Sequence, residues 1–247
     1  MKEIDGKYYY HLDEIHKKLK DKVNKEQIKE YFEKGHITGK LIDNVWYGEE
    51  DSPENIIFLE SAMMIGRLEL DLSNIALRGR ILDIGGGGEG VIGQFKGAKV
   101  VAIDLRASEL EEAAEGEYLK VIMDAKDLKF LDQYFDTVTA FFSLMYILPS
   151  DREKVFQECY RILKTGGEFV IWDLKIPEKT DKKQTKDYYG ITLSINIGRK
   201  EISTGYAIRW NRAQNYDLYA MLGKKIGFIV NDHQEYEHTF YIRFVKN

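Results

Sequence analysis

Residues 81–90 read Ile-Leu-Asp-Ile-Gly-Gly-Gly-Gly-Glu-Gly, and this run restricts the fold more than any other stretch of the chain. Short apolar residues that end in four consecutive glycines predict a buried strand turning sharply into a helix. Without a Cβ the backbone can turn tightly and approach a ligand, and the next helix offers unpaired N–H groups at its N-terminus. A dinucleotide-binding turn would spend those amides on a pyrophosphate and has no need of an acid inside the strand. Asp83 argues for a different ligand. A carboxylate there repels a pyrophosphate and suits a molecule carrying an ammonium group, such as the methionine end of S-adenosylmethionine.

From Arg80 onward strand and helix patterns alternate, the signature of parallel βαβ units. The strand candidates are Ile81–Ile84, Val100–Ile103, Tyr118–Met123, Thr137–Phe142 and Phe169–Trp172. Between them, Val155, Phe156, Cys159, Ile162 and Leu163 share one face of a helix from Asp151 to Leu163, and Thr165-Gly166-Gly167 reads as its stop. Past Trp172 a lysine-rich loop, Lys179–Lys186, leads to two alternating segments, Ile191–Ile197 and Glu201–Trp210, expected as an inserted antiparallel pair. A helix near Gln214–Ile226 and a final hairpin, Phe228–Val230 with Thr239–Val245, complete the pattern.

Asp104 closes the second strand 21 positions beyond Asp83, near the spacing at which an acid reaches the hydroxyls of an adenosine ribose. Asp124 follows the third strand, where a carboxylate can accept from an adenine amino group. Ligands of open parallel sheets bind outside the carboxyl ends of the strands, so the three acids are expected to face one crevice. The segments Leu82–Gly87, Val101–Asp104, Met123–Ala125, Phe135–Val138 and Arg161–Gly167 resemble, in order and spacing, the successive motifs of class I S-adenosylmethionine-dependent methyltransferases of the small-molecule type. The resemblance implies an α/β fold: a Rossmann-like, seven-stranded, mostly parallel sheet with an antiparallel last strand. It implies that Asp83, Gly85, Gly86 and Gly87 hold the methionine end of the cofactor, Asp104 and Leu105 the ribose, and Asp124 and Ala125 the adenine. Phe141 and Phe142 would lie beside the sulfonium. Two positions depart from the family pattern: Glu89 stands where a third glycine is usual, and Thr165 where proline is frequent.

Methyl transfer is an in-line displacement that mainly requires alignment, so a dedicated catalytic residue is not assigned. If the acceptor needs deprotonation, His233, His238, Tyr146 or an acid is a candidate. The aromatic-rich stretch with Tyr188, Tyr189, Tyr206, Trp210, Tyr216 and Tyr219 reads either as an acceptor lid or as core.

Ahead of this domain, Met1–Asp51 reads as two short helices followed by a hairpin near Lys40–Tyr47, resembling excisionase-like winged-helix modules. Ser52 as N-cap and Pro53 at the first turn open a helix expected through Ile57, Ala62, Ile65 and Leu68. The expected domains are therefore 1–51 and 52–247, with a β insertion at about 186–212. Ten lysines against nine acids and no arginine in the first 48 residues are poor equipment for gripping phosphates. With a net charge of −5 for the 247-residue chain, this disfavours nucleic acid as a partner. The single cysteine, Cys159, excludes a disulfide framework and a cysteine-rich metal site, and no apolar run is long enough to span a bilayer. A cytoplasmic enzyme with a small-molecule acceptor is expected, and whether it pairs as a homodimer stays open. A non-catalytic cofactor-binding regulator and a nicotinamide-dependent oxidoreductase are the competing readings.

Overall fold

Tyr8-Tyr9-Tyr10 and Val45-Trp46-Tyr47 are aromatic and β-branched residues, the types that pleated strands favour. Both are strands in the computed structural model, which describes residues 1–4, 6–20, 22–180 and 185–247. The chain runs β1 (Lys2–Ile4), β2 (Lys7–His11), α1 (Leu12–Lys18), α2 (Lys25–Glu33), β3 (Gly39–Ile42) and β4 (Val45–Glu49), with the strands ordered β1-β2-β4-β3. Asp43 and Asn44 turn the β3–β4 hairpin at φ 49° and 62°, the left-handed conformation that Asp and Asn tolerate in two-residue hairpins. Both helices open on capping boxes, His11 with Glu14 and Asn24 with Gln27, and they bury Leu12, Ile15, Ile28 and Phe32 in a core of their own. Of the described residues, 1–64 and 185–188 make up this unit, and 65–180 and 189–247 the other.

The helix expected from Ser52 through Leu68 stops early. In α3 (Ser52–Ser61) the N-cap is Asp51, and the Ser52 hydroxyl is buried without a partner. Residues Ala62–Asp71 form β5 instead. There Leu68 and Leu70 alternate with Arg67, Glu69 and Asp71, and this period of two overrides the helical spacing of Ile57, Ala62 and Ile65. Gly66 has φ 109°, outside the helical region.

The second unit follows the expected rhythm: β6 (Ile81–Ile84), α4 (Val91–Lys96), β7 (Val100–Asp104), α5 (Ala107–Glu112), β8 (Leu119–Ile122), β9 (Phe135–Phe141), α6 (Pro149–Ile162), β10 (Leu163–Leu174), β11 (Tyr188–Asn196), β12 (Glu201–Arg209), α7 (Tyr216–Ile226), β13 (Phe228–Glu235) and β14 (Thr239–Lys246). Seven strands order as β13-β14-β10-β9-β6-β7-β8. Strands β6 to β10 are parallel and β14 is antiparallel, the sheet the sequence led one to expect. Along β10, Phe169 and Ile171 face one core with Phe156 and Cys159 of α6, while Val170 and Trp172 face the other with Ile92 of α4 and Leu193 of β11. Thr165-Gly166-Gly167 is not the helix stop. The helix ends at Ile162, and the glycines form a bulge inside β10, with Gly166 at φ 76°. The inserted pair is present as β11 and β12, but β5 joins it as a third strand, in the order β12-β11-β5. Within the run Lys179–Lys186, expected as a solvated loop, residues 181–184 lie outside the described residues.

A buried polar network locks the carboxyl edge of the sheet. Asp173, fully buried at the end of β10, accepts from the Met145 N–H at 3.0 Å, the Leu174 N–H at 2.7 Å and Gln214 Nε2 at 3.0 Å. Gln214 Oε1 in turn accepts from Arg152 Nη2 at 3.0 Å and from the Tyr219 hydroxyl at 2.8 Å. Replacing Gln214 by leucine removes a partner from an acid, a guanidinium and a phenol in the interior at once. The Gln214→Leu variant is expected to lose about 3 kcal/mol of stability, read as a lower urea midpoint at unchanged slope.

Candidate functional site

The carboxyl ends of β6, β7, β8 and β9 open on one cleft of about 680 Å³, within the range of about 300–1,000 Å³ usual for small-molecule sites. Of the residues singled out in the sequence, Gly85, Gly87, Asp104, Leu105, Asp124, Ala125, Phe141 and Phe142 line it. Asp83 and Gly86 do not. β6 runs one residue past Asp83 before turning, which leaves that carboxylate 2% exposed beneath the glycine loop, its Oδ1 accepting from the Thr139 hydroxyl at 2.7 Å. Burial pushes the Asp83 carboxyl up to about 7; the Thr139 hydrogen bond pulls it back, and the nearby Asp104 charge adds to the rise. Gly86 sits directly above: a Cβ there would lie 2.7 Å from Asp83 Oδ2 and 2.8 Å from Ala102 Cβ.

The glycines have separate reasons to be glycine. Gly85 has φ 68°, and a Cβ on it would come within 2.5 Å of Ser143 Cβ; a Cβ on Gly87 would come within 2.5 Å of Glu109 Cβ. Asp104 and Asp124 share one local design. Each carboxylate accepts from the N–H two residues on, Arg106 at 3.0 Å and Lys126 at 2.9 Å, which is an Asx turn that fixes the side chain at the lip of the cleft.

The wall formed by the end of β9 is unusual in its backbone. Phe142 has φ 50°, a left-handed conformation costly for a bulky residue and concentrated at functional sites. Neighbouring strands hold it there: its N–H donates to the Trp172 carbonyl at 2.8 Å, and the Ser143 hydroxyl donates to the Ile84 carbonyl at 2.6 Å. The Phe142 ring stacks on Tyr206 of β12 at 5.2 Å and 3°. Gly205 and Tyr206 line the cleft, as do Tyr146 and Glu89. Glu89 joins the glycine loop to the insertion: Oε1 accepts from the Thr204 hydroxyl and Oε2 from the Tyr206 hydroxyl at 3.4 Å. Burial raises both phenols, Tyr146 and Tyr206, above their ordinary range.

Sequence reasoning missed Glu89 as a site residue and Thr204 altogether. The signal was available in β12, where Ile202, Thr204, Tyr206 and Ile208 share one face. Of the other aromatics, Tyr189 and Trp210 pack together at 4.9 Å in the core, Tyr219 is fully buried, and Tyr216 stacks on His233 at 4.6 Å. Among the proposed bases Tyr146 lines the cleft, and neither His233 nor His238 does. Cys159 is fully buried, and burial drives its thiol far above the usual range, so it is inert. Among the described residues no group of His, Cys, Asp and Glu could hold a metal ion, and no helix is long and apolar enough to cross a membrane.

A family model described as a methyltransferase domain matches residues 82–171. The ubiquinone/menaquinone biosynthesis C-methyltransferase UbiE of Pectobacterium carotovorum is 27% identical over 157 residues, covering 58% of this chain and 62% of that protein. UbiE of Pseudomonas paraeruginosa is 28% identical over 146 residues, covering 54% and 56%. The chain thus spans less than two thirds of the length of these relatives. Among solved structures, a SAM-dependent methyltransferase from Methanosarcina mazei superimposes with a TM-score of 0.52 at 19% identity, covering 72% of this chain and 99% of that one. A protein from Pyrococcus horikoshii gives 0.52 at 19%, covering 71% and 86%. The second unit has the class I methyltransferase fold.

Two outcomes follow from the loop geometry. Gly85→Ala adds a left-handed penalty to a steric clash, and is expected to cost about 2–4 kcal/mol in denaturant unfolding. Asp83 binds its proton up to about pH 7 when folded, but only up to about pH 4 when unfolded. The native state therefore holds the extra proton between those values, and stability falls as pH rises through that window. Asp83→Asn should remove this share of the slope, so that urea midpoints decline less between pH 5 and pH 7.5 than in the parent protein; equal declines would contradict the burial argument.

Proposed function

We propose that this chain, through the methyltransferase domain at residues 82–171, transfers the methyl group of S-adenosylmethionine to a small-molecule acceptor by in-line displacement. The observation that carries the reading is the alignment of Asp104 and Asp124, each set by an Asx turn, with a glycine loop that has no room for Cβ atoms, all around one cleft. These residues fit the cofactor. Gly85 and Gly87 let the backbone close on its methionine end, with Asp83 beneath. Asp104 has one oxygen committed to its turn and the other for a ribose hydroxyl, beside Leu105; Asp124, whose second oxygen lies 3.8 Å from Lys126 Nζ, offers that oxygen to the adenine amino group, beside Ala125. When bound, S-adenosylmethionine supplies a methyl group on a sulfonium, a good leaving group.

The protein's own contribution is alignment and exclusion of water. Phe141 and Phe142 end β9 at the cleft, and Tyr206 covers Phe142 from the insertion. Holding two reactants in line supplies about 7–11 kcal/mol of barrier lowering, so no acid–base residue is required for the step itself. We place the enzyme in the cytoplasm, divide it into an accessory module of about 1–51 and a catalytic domain of 52–247, and leave nucleic acid out of its partners because the net charge is −5.

Calorimetric titration with S-adenosylmethionine and, separately, with NAD tests the reading. Saturable binding of the former alone is expected, weakened about 10- to 100-fold in Asp104→Ala, as loss of a hydrogen bond to a charged group implies. Preference for NAD, or no binding of S-adenosylmethionine, would remove the methyltransferase reading.

A further inference from the structure

We infer that the acceptor is an amine, its nitrogen held by the Glu89 carboxylate beside the Phe142–Tyr206 wall; this rests on the methyltransferase reading above. The first argument is the setting of Glu89. It stands between Gly88 and Gly90, whose positive φ values of 57° and 61° carry the turn, which frees this position to bear a side chain. The Thr204 and Tyr206 hydroxyls hold one carboxylate oxygen each, and Gln94 Nε2 donates to the Glu89 carbonyl. A carboxylate fixed on both oxygens at the edge of a cleft is an oriented acceptor for N–H groups.

The second argument is charge. Among the described residues, six carboxylates line the cleft against two cations, Arg106 and Lys126. Both cations are paired, Arg106 with Glu109 at 2.6 Å and Lys126 with Asp151 at 2.9 Å. Among the described residues that line the cleft, an acceptor bearing a carboxylate or phosphate would meet no uncommitted cation, and it would meet a repulsive field. An amine meets the opposite: an anion at Glu89, and the rings of Phe141, Phe142, Tyr146 and Tyr206, whose faces attract cations.

The chemistry agrees with the placement. An ammonium first gives its proton to water. The nitrogen lone pair of the neutral amine then forms the new N–C bond to the methyl carbon as the C–S bond breaks, its electron pair going to sulfur. Positive charge passes from sulfur to nitrogen in that step. Glu89 is placed to stabilise the charge where it develops, and such preorganised stabilisation is worth more in a water-poor site.

The test uses the full chain saturated with S-adenosylhomocysteine and titrated calorimetrically with three probes of similar size: phenethylamine, 2-phenylethanol and 3-phenylpropionate. The amine is expected to bind at least tenfold more tightly than the alcohol or the acid. In Glu89→Gln, with its fold checked by thermal melting, that preference should collapse by tenfold or more. Thr204→Val, which keeps the charge but removes one orienting hydroxyl, should reduce it severalfold. Absent amine binding, equal binding of the acid or alcohol, or a preference intact in Glu89→Gln would overturn the inference. The preceding titration with S-adenosylhomocysteine separates the two readings: if it does not bind, the methyltransferase reading fails, and if it binds without an amine preference, only the acceptor class does.

Discussion

The cleft depends on two buried carboxylates that flank one strand. β9 lies between β6 and β10, and its end is held by Asp83 on one side, through the Thr139 hydroxyl, and by Asp173 on the other, through the Met145 N–H. Desolvation raises both acids to about 7, a cost that apolar residues would not incur. The return is geometric. Between these anchors the chain can keep Phe142 in a left-handed conformation, with Ser143 and Phe142 stitched to the Ile84 and Trp172 carbonyls. Strain of this kind persists only where the surroundings over-determine it, and here two adjacent strands and a buried amide, Gln214, do so.

The same arrangement explains how the parts outside the parallel sheet reach the site. Gln214 lies just ahead of α7, far along the chain from β9, yet it couples Asp173 to Arg152 of α6 and Tyr219 of α7. Arg152 also donates to the Ile147 carbonyl at 3.3 Å. The segment that carries Tyr146 into the cleft is therefore gripped at Met145 and at Ile147. Both flanking helices bear on the cleft wall through hydrogen bonds whose partners are desolvated, where an unmade bond is expensive.

What could be read in the sequence was local. Apolar runs ending in Asp104, in Asp124 after Met123, or in the glycines after Ile84 place strand, turn and ligand-facing acid within a few residues, and a parallel sheet gathers such ends at one edge. The misreadings share a cause: each needed a partner distant in the chain. Ala62–Asp71 carried both a helical and an alternating signal, and only pairing in the sheet with β11 decides between them. Asp83 read as a crevice residue although its strand was expected to end at Ile84, as it does; its burial follows from Thr139 of the neighbouring β9, a partner that lies 56 residues on. Gln214 carried no signal at all, since an isolated glutamine before a helix is ordinarily solvated.

Glu89 shows why a departure from a family pattern is informative when its neighbours absorb the structural duty. A glycine in such a loop serves either the backbone turn or close approach to a ligand. Here the turn is carried at Gly85, Gly88 and Gly90, all at positive φ, while close packing falls on Gly86 and Gly87. Position 89 is left with neither constraint, and an acid there costs the fold little. Its hydroxyl partners lie on an inserted strand outside the parallel sheet, so loop and insertion are matched to each other: the Thr204 and Tyr206 hydroxyls find their acceptor at Glu89, and Glu89 is oriented by both. A matched pair of this sort, joining the loop expected to bind the donor to the strand that walls the cleft, is where a fold shared by many activities can become specific to one.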